Sequence, residues 1–316
     1  MYGTNLDLAY ATLLLGDNTN STAPDTDLYF RSIRVLNYQL QHDRKTRTRQ
    51  SVPFLVLVTP EVASWKREQL SQEGATVVPV KKIDSSWTSP GSKRWQDVMV
   101  KLRLFELVEF DRILFLDADT FLLKSLDGVF RDRAARPRRT LHAEKIKSDE
   151  GALPNDYLFA TNSEVMNVMH SYPAVPMSYF NAGFFVLRPS KELYKYYKSL
   201  FGLPGRFDTT YPEQNLLNYA HRQQGNMPWG RLRHSWNIQL PSMDDVQKGV
   251  ASLHAKLWTE GNVLQPIPRE LQDLWWKKKI EMDEHYRITH NKQMAGHKET
   301  SQGAPHRHMR HSTAHP

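Results

Sequence analysis

Two carboxylates one residue apart, Asp117 and Asp119, follow directly on the run Arg112-Ile113-Leu114-Phe115-Leu116. Five residues, four of them apolar, read as a buried strand. Unpaired carboxylates are costly to bury, so the pair belongs at the strand's carboxyl end, where an open sheet leaves a crevice. Two hard oxygen donors at this spacing can grip one divalent cation and leave its remaining positions for phosphate oxygens. A diphosphate held to carboxylates through a metal is the chemistry this spacing allows. A turn with an N-cap is the plainer alternative, so the surrounding elements must decide.

Those elements alternate. Leu6 to Leu15 read as a first strand, followed by a polar, turn-rich loop from Gly16 to Asp25. Between Asp27 and Gln41, Phe30, Ile33, Leu36 and Leu40 recur at helical spacing. Phe54 to Val58 form a second strand, residues 61–73 a charged helix, and Ala75 to Val80 a third strand. Trp95, Val98, Met99, Leu102 and Phe105 line one face of a helix that leads into the strand ending at Asp117. This order predicts an α/β domain: a Rossmann-like, mixed but mostly parallel sheet flanked by helices. In the second half, Tyr179 to Leu187 hold a strand, Ser190 caps a helix to about Phe201, and residues 212–222 form another helix. No Gly-x-Gly-x-x-Gly and no Gly-x-x-x-x-Gly-Lys occurs, so a bound anion has to be held by a metal instead.

Composition narrows the field. With 316 residues, 40% hydrophobic and 11% aromatic, the chain can bury a substantial core. It contains no cysteine, which excludes disulfides, zinc-thiolate sites and thiol nucleophiles. The net charge of +8 is concentrated in Arg131, Arg133, Arg136, Arg138 and Arg139, and in Lys277, Lys278 and Lys279. Such clusters are usually solvated faces; an anionic substrate, membrane surface or nucleic acid is the sharper reading. The arginine cluster lacks the interleaved aromatics of a single-strand platform, so no nucleic-acid partner is expected. No run approaches the ~20 apolar residues of a membrane span, and no signal peptide is visible. These absences favour a cytoplasmic expectation, with a Golgi lumen open if the N-terminus is incomplete. Asn20-Ser21-Thr22 is a lone sequon. The domain is expected to occupy residues 1–285, and 286–316 to be a disordered, polar, His-rich tail in which His306, His308, His311 and His315 are solvated.

Read in order, the motifs resemble glycosyltransferase family 8, over roughly residues 6–260. The resemblance rests on Ala11-Thr12-Leu13 in the first strand, Val100-Lys101-Leu102, and Phe115-Leu116-Asp117-Ala118-Asp119-Thr120. Tyr179-Phe180-Asn181-Ala182-Gly183-Phe184, Glu213-Gln214-Asn215-Leu216-Leu217-Asn218 and His254-Ala255-Lys256-Leu257-Trp258 complete it. Each piece is weak alone; six in order are specific.

The resemblance implies a single domain of GT-A type and a retaining, manganese-dependent transferase of a hexosyl group from a UDP-sugar. The acceptor class stays open among carbohydrate, polyol and glycoconjugate, and a homo-oligomer is compatible. By resemblance Asp117, Asp119 and His254 hold Mn2+ or another divalent cation. Lys101 reaches the donor, Lys256 adds positive charge at the diphosphate, and Ala11, Thr12 and Leu13 lie against the uridine. Asp117, Ala118 and Asp119 with Asn181, Ala182 and Gly183 line the donor sugar and phosphates. Glu213, Gln214 and Lys101 carry the catalytic expectation, a carboxylate at Glu213 opposing positive charge at the anomeric carbon. Retention through a covalent intermediate and retention by same-face attack both remain open.

Three departures separate the chain from glycogenin. Tyr211 and Pro212 precede Glu213 where glycogenin has glycines before an Asp. No Tyr lies between Asn237 and His254, which argues against self-priming there. The final motif, His-x-x-Gly-x-x-Lys-Pro-Trp in the family, is shortened here to His254-Ala255-Lys256-Leu257-Trp258. The compact ending and the long loop at 16–27 look most like fungal members of the family. A non-catalytic sugar-nucleotide or glycan-binding protein that keeps the fold is the competing reading.

Overall fold

The computed structural model describes residues 6–16, 27–92, 95, 97–262 and 265–302. The first apolar run forms β1 (Leu8–Leu14), and α1 (Leu28–Gln41) follows, opened by Asp27, whose carboxylate accepts from the Phe30 amide at 2.9 Å. β2 (Phe54–Val58), α2 (Ser64–Gln72) and β3 (Thr76–Pro79) continue the alternation, and β4 (Arg112–Leu116) and β5 (Thr120–Leu122) flank the two aspartates. A small ribbon, β6 (Arg138–Arg139) and β7 (Asp156–Tyr157), precedes β8 (Phe159–Ser163) and β9 (Phe180–Leu187). Then come α3 (Lys191–Ser199), α4 (Pro212–Ala220), β10 (Gly230–Arg231), β11 (Ile238–Gln239), α5 (Met243–Lys248) and β12 (Ser252–His254). The hairpin β13 (Gly261–Asn262) and β14 (Gln265–Pro266) leads to a long α6 (Arg269–Gln302).

Seven strands make the central sheet, in the order β10-β8-β9-β4-β1-β2-β3. β1, β2, β3 and β4 pair in parallel, as does β10 with β8, while β9 runs antiparallel to both β4 and β8. The mixed, mostly parallel arrangement is the one the sequence predicted. Side chains of a strand alternate between faces, and both faces are covered here. In β4, Ile113 and Phe115 enter one core with Leu102, Phe105 and Phe185. Leu114 and Leu116 enter the other with Phe30, Val56 and Val186. That is why β4 is apolar at successive positions until its end, where Asp117 begins.

The expected helix leading to β4 is of the 3₁₀ type, Val98–Glu106. Side chains three apart eclipse in a 3₁₀ helix, so Met99, Leu102 and Phe105, all buried, fall into one apolar row. One expectation changes, at the C-terminal end. The chain does not lose structure at residue 286, for α6 continues to Gln302. Leu271, Trp275 and Met282 are buried on it, and the Tyr286 hydroxyl accepts from Asn37 Nδ2 at 3.2 Å. The His285 ring packs against His42 with centroids 4.5 Å apart. Leu271, Trp275 and Met282, at helical spacing, anchor the first part of α6. The loop at 17–26, its sequon and the histidines from His306 onward lie outside the described residues. Among the described residues no helix is long and apolar enough to cross a membrane.

Candidate active site

Asp117 leaves β4 with its amide donating to the Gly183 carbonyl at 2.8 Å, so the first aspartate is tied to the start of β9. The chain turns at once into β5, which pairs antiparallel with β12 in a second, three-stranded sheet, β11-β12-β5. In that register His254 stands opposite Thr120, and the Ala255 amide donates to the Asp119 carbonyl at 3.1 Å. A histidine 135 positions away from Asp119 thus arrives beside it. His254 Nε2 lies 3.0 Å from Asp119 Oδ1 and 3.6 Å from Asp117 Oδ2. One ligand atom from each of the three residues falls within 4.8 Å of the others.

Whether these groups suit a cation can be judged from their surroundings. Two carboxylate oxygens beside an imidazole nitrogen form a mixed donor set that fits manganese better than an all-oxygen magnesium site. Gly183 forms the floor. A Cβ there would come 2.1 Å from His254 Cε1 and 2.6 Å from Asp117 Oδ2, so only hydrogen fits beneath the cluster. His254 Nδ1 is buried and has no hydrogen-bond partner among the described residues. The set fits a divalent ion.

Positive charge surrounds the carboxylates. Lys101 Nζ, on the 3₁₀ helix, is buried and lies 3.2 Å from Asp117 Oδ1 and 2.9 Å from Glu213 Oε1, and it donates to the Ala182 carbonyl at 2.9 Å. Burial alone would push its ammonium toward neutrality, but the Asp117 and Glu213 charges overcome this and hold its pKa above the ordinary lysine value. Lys256 Nζ is 3.2 Å from Asp119 Oδ2. For Asp119, burial is outweighed by His254 and Lys256, and the carboxyl is held well below its usual range. For Asp117 burial wins over Lys101, and its pKa is raised. His254 is raised too: burial works against the charged ring, but Asp119 prevails.

α4 presents Glu213 and Gln214 in its first turn, with Pro212 at the start where a missing N–H costs nothing. Gln214 Oε1 accepts from the Ala182 amide at 3.0 Å, and its Nε2 donates to the Tyr179 hydroxyl at 2.8 Å and to Glu164 Oε2 at 3.3 Å. Asn181 Nδ2 donates to that same Glu164 oxygen at 3.2 Å, while Asn181 Oδ1 accepts from the Gly183 amide at 2.8 Å. Asn181, Ala182, Gly183, Glu213, Gln214 and Lys101 therefore form one network with Asp117. Glu164 and Tyr179 belong to it, and the sequence reading gave neither a role. Glu164 follows β8, whose Phe-Ala-Thr-Asn-Ser run carries little strand signal. Burial raises the Glu164 carboxyl despite the Asn181 hydrogen bond, and pushes the Tyr179 hydroxyl up to about 12.

The first-strand group sits apart from this network. Ala11 and Thr12 are buried in β1, Ala11 within the core and Thr12 Oγ1 without a hydrogen-bond partner among the described residues; Leu13 is half-buried. Ala11 pairs with Phe115, so the residues following it in β1 run level with the turn that carries Ala118 and the two aspartates.

The model for glycosyl transferase family 8 matches residues 29–256 of the chain. An uncharacterized protein of Schizosaccharomyces pombe is 29% identical over 307 residues, covering 87% of this chain and 79% of its own. Galactinol synthase 3 of Arabidopsis thaliana is 27% identical over 251 residues, 73% of this chain and 72% of its own. Among solved structures, the apo form of the glycosyltransferase GlyE of Streptococcus pneumoniae TIGR4 superimposes with a TM-score of 0.50 at 15% identity. That match covers 90% of this chain and 64% of the GlyE chain, and it speaks to the fold alone.

Proposed function

The chain belongs to glycosyl transferase family 8, and from this premise we propose that it is a retaining, metal-dependent transferase moving a hexosyl group from a UDP-sugar to a carbohydrate, polyol or glycoconjugate acceptor. The observation that carries the proposal is the meeting of Asp117, Asp119 and His254 over the hydrogen of Gly183.

Asp117, Asp119 and His254 would hold the cation, with manganese the best match to the donor set. When bound, it supplies Lewis-acid stabilisation of negative charge on the departing nucleoside diphosphate. Lys256 adds a second positive charge at the same end. Lys101, held between Asp117 and Glu213, places positive charge against both carboxylates and keeps them in position. Glu213 is the carboxylate suited to oppose developing positive charge at the anomeric carbon. Asn181 and Gln214 present amides whose orientation Glu164 and Tyr179 set, an arrangement suited to reading sugar hydroxyls. The arrangement favours Gln214 as a positioning group and Glu213 as the group nearest the reacting carbon.

The test is a donor-hydrolysis panel of UDP-hexoses with Mn2+ and with chelator. Turnover of a subset of the hexoses that stops with chelator is expected. No turnover of any donor, or turnover indifferent to chelator, would reject the proposal.

A further inference from the structure

Between β8 and β9 the chain leaves the network at Glu164 and returns to it at Tyr179. Residues 165–178 contain no Asp, Glu, Lys or Arg, in a chain that is 24% charged. Their apolar side chains point outward: Met166 is 71% exposed, Met169 86% and Val175 72%. This exposure is built, because the underside of the loop is held. Val165 is buried and its amide donates to Gln239 Oε1 at 3.0 Å. Tyr172 packs edge-on against His234 with centroids 5.1 Å apart, and Ala174 joins the core under α6. A fixed loop with exposed methionines is an unusual surface for a freely solvated enzyme.

Its neighbour is the arginine cluster. The end of β8, which leads into the loop, is bonded to the segment after β10: the Leu232 amide donates to the Thr161 carbonyl at 2.9 Å, and Asn162 Nδ2 to the Arg233 carbonyl at 3.1 Å. Arg231, at the end of β10, and Arg233, just after it, are exposed. Arg233 in turn reaches Asp132, in the segment that carries exposed Arg131, Arg133 and Arg136. Asp132, the acid within that segment, is buried and accepts from the Arg233 Nε at 3.1 Å and the Trp236 Nε1 at 2.8 Å. It offers the surface little negative charge, and the arginine edge stays cationic.

We propose that the loop at 164–179 and the adjoining arginine edge form a peripheral docking face for an anionic lipid bilayer, set beside the mouth of the donor site. Apolar side chains flanked by cations are the combination that interfacial attachment uses: methionines enter the acyl boundary while arginines meet lipid phosphates. Methionine is suited to this because its flexible thioether adapts to an irregular apolar surface. A nucleic acid would use the arginines and gain nothing from the exposed methionines. The proposal does not depend on which sugar is transferred, or on transfer at all.

Co-sedimentation of the full chain with vesicles tests it. Vesicles of phosphatidylcholine with 30% phosphatidylserine are compared with phosphatidylcholine alone, at low and high salt. The wild type should bind the anionic vesicles, release them at high salt, and bind neutral ones far more weakly. M166D/M169D should weaken binding at least tenfold. R131Q/R133Q/R136Q should weaken it by roughly a hundredfold at low salt, at about fivefold per arginine. Neither variant touches the metal or sugar network, so thermal melting and UDP-hexose hydrolysis should match the wild type and certify folding. Absence of vesicle binding, equal binding to neutral vesicles, or wild-type binding by the folded M166D/M169D variant would overturn the proposal. So would a salt-sensitive gel shift on RNA by a chain that ignores vesicles.

Discussion

Lys101 and Glu213, 112 positions apart, form a 2.9 Å ion pair between two buried side chains. The same ammonium reaches Asp117, so one positive charge joins the 3₁₀ helix, the turn after β4 and the first turn of α4. This pair explains how a cluster of acids survives in a crevice, and how the two halves of the candidate site keep their spacing.

Replacing Lys101 by Met should therefore cost more than a lost contact. Glu213 would be left buried, and Asp117 half-buried, with the nearest positive partner removed, a change worth about 3 kcal/mol. Urea unfolding of K101M, E213Q and the double variant gives the coupling directly. The double variant should be more stable than the sum of the singles implies, by at least ~1 kcal/mol. Strict additivity would show that the pair does not act as a unit.

Gly183→Ala should be tolerated by the fold and not by the cation. The added methyl meets His254 and Asp117 at distances no real contact adopts, so both side chains must shift. Mn2+ affinity, read by titration calorimetry or by the electron-spin signal of free Mn2+, should fall at least ~10-fold, as expected when ligand orientation is lost. Wild-type affinity would place the cation elsewhere.

Asp119→Asn removes a charge that His254 and Lys256 both contact. Donor turnover should fall at least ~100-fold, the loss typical of removing a main charge-stabilising group. The melting curve should stay cooperative, because the residue lies at a crevice outside the core. Turnover equal to the wild type at saturating Mn2+ would remove Asp119 from the assigned role.

His221 sets an acid limit that has nothing to do with the metal. Its ring is buried between Tyr197 and the Met227 carbonyl, with Nδ1 2.8 Å from that oxygen, and burial lowers its pKa from 6.5 to about 4. Between those values the unfolded chain binds a proton that the folded chain refuses. The neutral ring is therefore no burden above pH 6.5, and stability is lost as pH falls from 6.5 toward 4, by up to about 3 kcal/mol. Denaturant unfolding across that range should show the slope, and His221→Gln, which cannot titrate, should flatten it. An unchanged slope would assign the acid sensitivity to other groups.

Much of the site was legible because its signal is local. A strand that must bury both faces shows an unbroken apolar run, and the first residue that breaks it, Asp117, marks where the strand meets the crevice. Asn181, Gly183, Glu213 and His254 were found as short motifs. Their role in one network was not legible, because the contacts that join one motif to another span from 32 to over 100 residues of chain. Glu164 had no motif at all; only pairing of β8 with β9 brings it to Asn181 and Gln214. The continuation of α6 past residue 285 was not legible, because the apolar side chains that anchor the helix, Leu271, Trp275 and Met282, all come before it.

The amino-acid order by itself determined the alternating strands and helices, the two-sided core and the residue types able to bind a cation, because each follows from side-chain chemistry within a few positions. Only the tertiary structure decided that β12 runs beside β5, that a glycine lies beneath the histidine, and that an uncharged, methionine-bearing loop adjoins an arginine edge. Those are distances between segments remote in sequence, and they exist only once the sheet has closed and fixed its registers.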